Sequence, residues 1–292
     1  MPTPKEAQQQ LNDLVDLMGS GIEQVQKAAK KAQQSALDAL MELLATFEIK
    51  EGAFVKSQTL VRRIAKAERI LTDVLKTSGY NAAVSDYLGT FTTVEARTIA
   101  MHRTFNDIQV ASSKLSPARA FVLDQATHFL NGAGLAEGFV QPAKFLLMQQ
   151  VVTGLTLADG RELLEKWAAG ELSDGKKTSG RKTVSLEQYA TQITRDSLFQ
   201  YHGTINDLIR KEYGLDSFIY TGDIIKDSRP LCRYLVQRGG EVPFAEIPAL
   251  ISQFPEGTVP GTNSQNFLVF RGGYSCRHGC FPVRKNLLEN TN

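Results

Sequence analysis

From Thr3 to about Phe47 the apolar residues return at alternating steps of mostly four and three: Leu11, Val15, Met18, Ile22, Val25, Ala29, Ala32, Ala36, Leu40 and Leu43. Such steps place side chains on one stripe of a helix, and a stripe this long has the spacing of a coiled-coil seam, narrowed in its middle by alanines. It serves either as the inner face of a helix packed on its own domain or as a seam for a partner's helix. Gly19 and Gly21 fall inside it. Glycine costs about 1 kcal/mol relative to alanine within a helix, so a kink or break is predicted there. A second amphipathic helix is predicted over 58–76, with Leu60, Ile64, Ala67, Ile70, Leu71 and Val74 on one side, and a third over TTVEARTIAMHRTFNDIQVA.

Ser116 and Pro117 read as the N-cap and first residue of a further helix. The glycine-rich NGAGLAEG reads as a connection to QPAKFLLMQQVVTG, and TLADGRELLEKWAAGE as a short helix with Trp167 as a core anchor. From Ser185 to Gly214 the pattern predicts one long helix or a pair, stopped by the glycine. Beyond it the character changes. DSFIYTG has the β-branched and aromatic content of a strand, and Pro230 opens a short helix in SRPLCRYLVQ. EVPFAEIPALISQFPEGTVPGT reads as proline-broken loop, and NFLVFRGGYSCRHGCFPV mixes strand and turn signals. The prediction is a mainly α protein, with an elongated helical N-terminal region and a small C-terminal α+β domain. Its regions are a helical partner-binding stretch 1–112, a helical linker domain 113–184 with a basic loop, and an α+β domain 185–292.

Composition narrows the class only a little. Lys and Arg number 33 against 31 Asp and Glu, so the charge is nearly balanced and announces no nucleic-acid partner. Three cysteines are an odd count, unlike a secreted disulfide scaffold. No run approaches the roughly 18 apolar residues of a membrane span, and the start lacks the apolar core of a signal peptide. A protein without a membrane segment, made in a reducing compartment, is expected.

The candidate chemistry lies near the C-terminal end. Cys276, His278 and Cys280 alternate in GGYSCRHGCFPV, and alternate residues of an extended chain face one side. With Cys232 they make a Cys3His set, a sensible zinc sphere. One-residue gaps in a strand hold side chains about 7 Å apart, however, too far to share an ion unless the glycines bend the chain. Buried free thiols are the commonest outcome for such cysteines and no cofactor is expected, while a disulfide from Cys232, zinc, and a Cys232–His278 nucleophile pair remain open. No protease, deaminase or phosphate-loop signature accompanies them, so no catalytic residue is assigned and a non-enzyme is expected. Arginine's rigid fork of donors suits phosphate. Candidate DNA-phosphate contacts are Lys176, Lys177, Arg181 and Lys182 in the loop SDGKKTSGRKTV, and Arg233, Arg271 and Arg277 in the tail.

The order of YATQITRDSLFQYHG, FIYTG, DSRPLC and GGYSCRHGCFPV resembles the phage Mu F-like head morphogenesis family of minor capsid proteins. By that resemblance Arg195 matches the arginine of the family's helix. Asp227, Arg229 and Cys232 match its D.R.C element, and Cys276, His278 and Cys280 its closing segment. Leu235 stands where many members carry a second cysteine. In SCRHGC the histidine lies between the cysteines, which favours a packing or hydrogen-bonding role over a shared metal. The resemblance implies a virion protein inside the phage head, made in the host cytoplasm. Its implied partners are the portal protein, the interior of the major capsid shell and packaged DNA, and its role lies in head assembly and DNA packaging or delivery. The alternatives are a zinc-stabilised DNA-binding module and a cysteine-dependent hydrolase or transferase.

Overall fold

Helix α1 runs unbroken over Pro4–Ala45 in the computed structural model, which describes residues 3–55, 57–171, 185–273 and 276–284. The break predicted at Gly19–Gly21 does not occur. Met18, Ile22 and Val25 are buried on either side, and burying three such chains, at about 1.5–3 kcal/mol each, outweighs two glycines at about 1 kcal/mol each. Apart from half-buried Val15, the whole stripe from Leu11 to Leu43 is buried by the protein's own chain. It is core, and it offers no free seam to a partner's helix.

Glu51 and Gly52, both at positive φ, turn the chain between β1 (Ile49–Lys50) and β2 (Ala53–Phe54). Helix α2 (Gln58–Thr77) starts where the Ser57 hydroxyl accepts from the Leu60 N–H, and it buries Leu60, Ile64, Ala67, Leu71 and Leu75. Helices α3 (Tyr80–Asn106) and α4 (Ser116–Asn131) follow, with Ser116 inside α4 and not its cap. The glycine-rich stretch is not a loop. A short helix α5 (Ala133–Leu135) and a π turn (Ala136–Val140) lead straight into α6 (Gln141–Thr153). Its glycines serve close packing: a Cβ on Gly134 would stand 2.7 Å from the Phe129 ring, and one on Gly138 3.3 Å from that of Tyr189. Helix α7 (Leu157–Ala169) opens on a capping box between Thr156 and Asp159. Helix α8 (Leu186–Tyr213) is a single helix, from Ser185, whose hydroxyl accepts from the Gln188 N–H, to Gly214 at φ 65°.

Packing sorts the chain into two units, one of Glu23–Tyr87 and Thr127–Ile193, the other of Met1–Ile22, Leu88–Ala126 and Thr194–Asn292. Each draws on separated stretches, whereas the regions 1–112, 113–184 and 185–292 are consecutive. The reason is that α1, α3, α4 and α8 each carry residues of both units. In the first unit α2 packs on α6 and α6 on α7. Trp167 is the anchor expected of it, stacked on Phe139 with ring centroids 4.9 Å apart. The hydroxyls of Tyr80 and Tyr189 donate to the carbonyls of Leu130 and Phe129. Phe145, Met148 and Val152 of α6 stay 70%, 41% and 63% exposed, and their spacing puts them on one helix face.

The second unit holds the sheet. Strand β3 (Ser217–Thr221) is followed by α9 (Pro230–Arg238), opened by its proline, and by β4 (Glu241–Pro243). The proline-rich stretch is built of short elements, not irregular loop. Pro248 lies in the first turn of α10 (Ile247–Gln253), where a missing N–H costs nothing. The residues Phe267–Phe270 form a helical turn, α11, and β5 (Gly279–Val283) closes the sheet. The order is β4-β3-β5, all antiparallel, pairing Phe218 with Val242 and Pro282, and Tyr220 with Cys280. Pro282 is tolerated because β5 is an edge strand, where no outward ladder N–H is needed.

Both faces of β3 are covered. Phe218, Tyr220 and Cys280 join a cluster with Leu231 and Leu235 of α9, Val242, Phe244, Ile247, Phe267 and Leu268. On the opposite face Phe281 meets His102 and Phe105 of α3, with ring centroids 4.5 and 6.3 Å away. Gly279 lies against α1, where a Cβ would stand 2.8 Å from Val15. The fold is mainly α with a small antiparallel sheet in its C-terminal part, as the pattern predicts.

Candidate metal centre and its buried surroundings

The sulfurs of Cys232 and Cys276 and a ring nitrogen of His278 lie within 4.8 Å of one another, all buried, and this group could hold a metal ion. Three segments bring them together. Cys232 sits in the first turn of α9 and points back to the sheet. Tyr220, paired with Cys280 of β5, donates its hydroxyl to the Cys232 sulfur at 3.3 Å and stands 3.7 Å from that of Cys276. After α11, Arg271 at φ 44° and Gly273 at φ 89° fold the backbone over the sulfurs, and the Cys276 N–H donates to the Gly273 carbonyl. Gly272 between them must be glycine, since a methyl group there would overlap the Cys232 sulfur and stand 3.2 Å from that of Cys276. The Nδ1 of His278 lies 3.6 Å from the Cys276 sulfur, and its ring stacks on Tyr220 at 5.4 Å.

The alternation rule fails for the fourth member of the set. Residues 276–278 are not in a strand, which begins only at Gly279. Cys280 is fully buried beside Tyr220 in the register, yet its sulfur is outside the converging group. The expected Cys3His sphere is therefore a Cys2His group. All three cysteines are free thiols. Hydrogen bonding between Cys232 and Cys276 keeps their shared proton on Cys232, raising that thiol. The same bond, with help from His278 and the Arg271 charge, holds Cys276 well below the ordinary thiol range despite burial. Burial pushes Cys280 and Tyr220 the other way, upward.

Arg271 is 1% exposed. Its guanidinium donates to the Phe199 carbonyl and lies over the Phe199 ring at 5.5 Å, while Nε and Nη1 have no hydrogen-bond partner among the described residues. The expected DNA-phosphate contact at Arg271 is thus corrected: a buried guanidinium cannot meet a duplex. Arg233 is also committed, its donors closing on the carbonyls of Ile225, Lys226 and Ser228 at 2.6–2.9 Å. It clamps the turn in which Asp227 is exposed and after which half-buried Arg229 stands at the N-cap position of α9 without a side-chain capping bond. Arg277 is exposed, and half-buried Arg195 is near enough that, after burial, the Arg277 charge is what most depresses its basicity. Two cations thus meet from distant parts of the chain. Lys176, Lys177, Arg181 and Lys182 lie outside the described residues.

A second buried polar group went unpredicted. The backbone N–H of Arg284 donates to Asn106 Oδ1 (3.3 Å), whose amide donates to His102 Nδ1 (3.0 Å) and to the Pro282 carbonyl (3.0 Å). The Nε2–H of His102 donates to Asn206 Oδ1 (2.9 Å), whose amide donates to His202 Nε2 (2.9 Å) and toward the Cys280 carbonyl (3.4 Å). This directed chain fixes the tautomer of His102, with the proton on Nε2, while the Asn206 amide is shared between His202 Nε2 and the His202 carbonyl at 3.0 Å. Burial lowers His102 to about 4 and His202 to about 3, the latter helped by the charge of Arg271 and by His102. The available signal was a histidine and an asparagine four apart on each of two helices, His102/Asn106 and His202/Asn206.

Comparison with protein-family models, with curated proteins and with solved structures finds no match. The likeness to minor capsid proteins rests on motif order alone.

Proposed function

We propose that the chain is a minor head protein of a bacteriophage, a non-enzymatic component inside the capsid that binds the portal and the inner shell. The observation that carries the reading is that Cys232, Cys276 and His278, supplied by two separate motifs of the resemblance, converge in one cluster that solvent does not reach. A nucleophile pair needs an approach for substrate, whereas a cluster 2–7% exposed is suited to holding segments together. We assign zinc as its ion, because two thiolates and an imidazole in a dry site match zinc's ligand preference. The partner-facing role moves from the α1 stripe to the apolar face of Phe145, Met148 and Val152 on α6, which the described residues leave uncovered. The head role is tested by immunodetection in purified particles and procapsids. Presence in either is expected, and absence from both refutes it.

DNA contact is a second reading, favoured by the proximity of Arg195 and Arg277, which a phosphate would relieve. Duplex binding by the purified chain, titrated against salt, tests it. No binding even at low salt would remove packaged DNA from the partners.

A further inference from the structure

We infer that the tail centre is a four-coordinate site in which the Tyr220 phenolic oxygen, and not the Cys280 sulfur, completes Cys232, Cys276 and His278. The inference rests on the assignment of zinc to this cluster. It is independent of the head role.

Tetrahedral zinc sets its own edge lengths. With Zn–S of about 2.3 Å, Zn–N of about 2.0–2.1 Å and Zn–O of about 2.0–2.2 Å, a sulfur and a nitrogen stand about 3.6 Å apart, and a sulfur and an oxygen about 3.5–3.7 Å. The Cys276 sulfur and His278 Nδ1 are 3.6 Å apart. The Tyr220 oxygen lies 3.3 Å from one sulfur and 3.7 Å from the other, straddling the required edge. These three separations are close to the edges of a tetrahedron around one ion. The hydroxyl–sulfur contacts place the phenolic oxygen where a fourth ligand would stand. Cys280 is anchored in β5 opposite Tyr220, its carbonyl held toward Asn206, and its sulfur is not among the converging atoms.

Charge calls for a third anionic ligand; a Tyr220 phenolate and a Cys280 thiolate would meet it equally, so geometry makes the choice between them. Zinc with two thiolates and a phenolate carries −1 beside a neutral imidazole, the ligand protons leaving to solvent. Arg271, whose charge acts on both Cys276 and Tyr220, supplies +1 from a buried position where Nε and Nη1 lack partners among the described residues. The sum is zero, as a buried ionic group requires to avoid an unpaired charge. A site of two thiolates and one imidazole alone would be neutral and leave Arg271 without a counter-ion.

The test uses the full chain, purified under reducing conditions and loaded with zinc or cobalt(II) alone. One zinc per chain is expected. X-ray absorption at the zinc edge of the wild-type protein should show two sulfurs at about 2.3 Å and two lighter atoms at about 2.0–2.1 Å. Loading should raise the ultraviolet difference band of tyrosinate. Tyr220→Phe, which keeps the ring stack, should lose that band and weaken zinc binding by at least about tenfold. Cys280→Ser should bind with unchanged affinity. Three sulfurs around the ion, or loss of zinc from Cys280→Ser with none from Tyr220→Phe, would overturn the ligand set while leaving a zinc site standing. No bound zinc in the reduced, folded wild type would overturn the site itself. Neither result bears on detection in particles.

Discussion

Acidification should unfold this protein through two histidines well before its carboxylates titrate. His102 and His202 are held neutral at about 4 and about 3 against an ordinary 6.5. Because both folded values lie below the unfolded one, the unfolded chain takes up protons first as the pH falls. The histidine contribution is therefore complete above pH 6.5, and it is lost down to about 4 for His102 and about 3 for His202. At pH 5 each ring has given up about 2 kcal/mol, about 4 kcal/mol together, with a slope near two protons, about 2.7 kcal/mol per pH unit. The geometry explains why the rings resist. Protonated His102 would turn a second N–H against the Asn106 amide, which already donates to that nitrogen, and protonated His202 would do the same to Asn206. Arg271 stands nearby as a further positive charge. Urea unfolding at a series of pH values from about 7.5 to 5 measures the slope, with ring-proton resonances reporting each histidine. A stability flat across that range, or a ring that titrates near 6.5 in the folded protein, refutes the reasoning.

Three other outcomes follow from packing and charge. Asn206→Leu removes the acceptor of His102 and the donor to His202, leaving two buried nitrogens unpaired; a loss of about 2–5 kcal/mol in urea unfolding is expected. Gly203→Ala and Gly19→Ala should change stability in opposite directions. A Cβ on Gly203 would stand 2.8 Å from the Leu268 carbonyl carbon and 2.9 Å from Val269 Cα, backbone that cannot rotate away, whereas Gly19 has open space. Overpacking at about 1–3 kcal/mol then outweighs the helix gain of about 1 kcal/mol at Gly203, while Gly19→Ala keeps that gain, and thermal melts of the pair decide it. Arg277→Gln should weaken duplex binding evenly across sequences and lower the salt slope by about 0.9, measured by anisotropy titration.

Legibility followed the locality of the physics. The stripes of α1 and α2, the glycine stop of α8 and the proline start of α9 were readable because periodicity and caps are properties of neighbouring residues. Gly19 and Gly21 misled because a propensity deficit is local while the burial of Met18 and Ile22 that overrides it is not. The prolines of the tail begin short elements here, which only the packing of Ile247 and Leu250 reveals. At the site, the residue types were correctly singled out but the set was not. Alternation assumed an extended chain from Cys276 onward, whereas the turn at Arg271–Gly273 delays the strand to Gly279 and parts Cys280 from the others. Tyr220 entered only through the β3–β5 register, a long-range pairing that no motif announces.

One detail of β5 bears on life at high concentration. Its outward carbonyls at Cys280 and Pro282 are taken by the amides of Asn206 and Asn106, the Arg284 N–H is taken by Asn106, and Pro282 has no N–H to offer. Side chains thus plug the rim onto which a neighbouring copy could otherwise zip a strand, so this border gives crowded molecules no template for runaway ribbon growth.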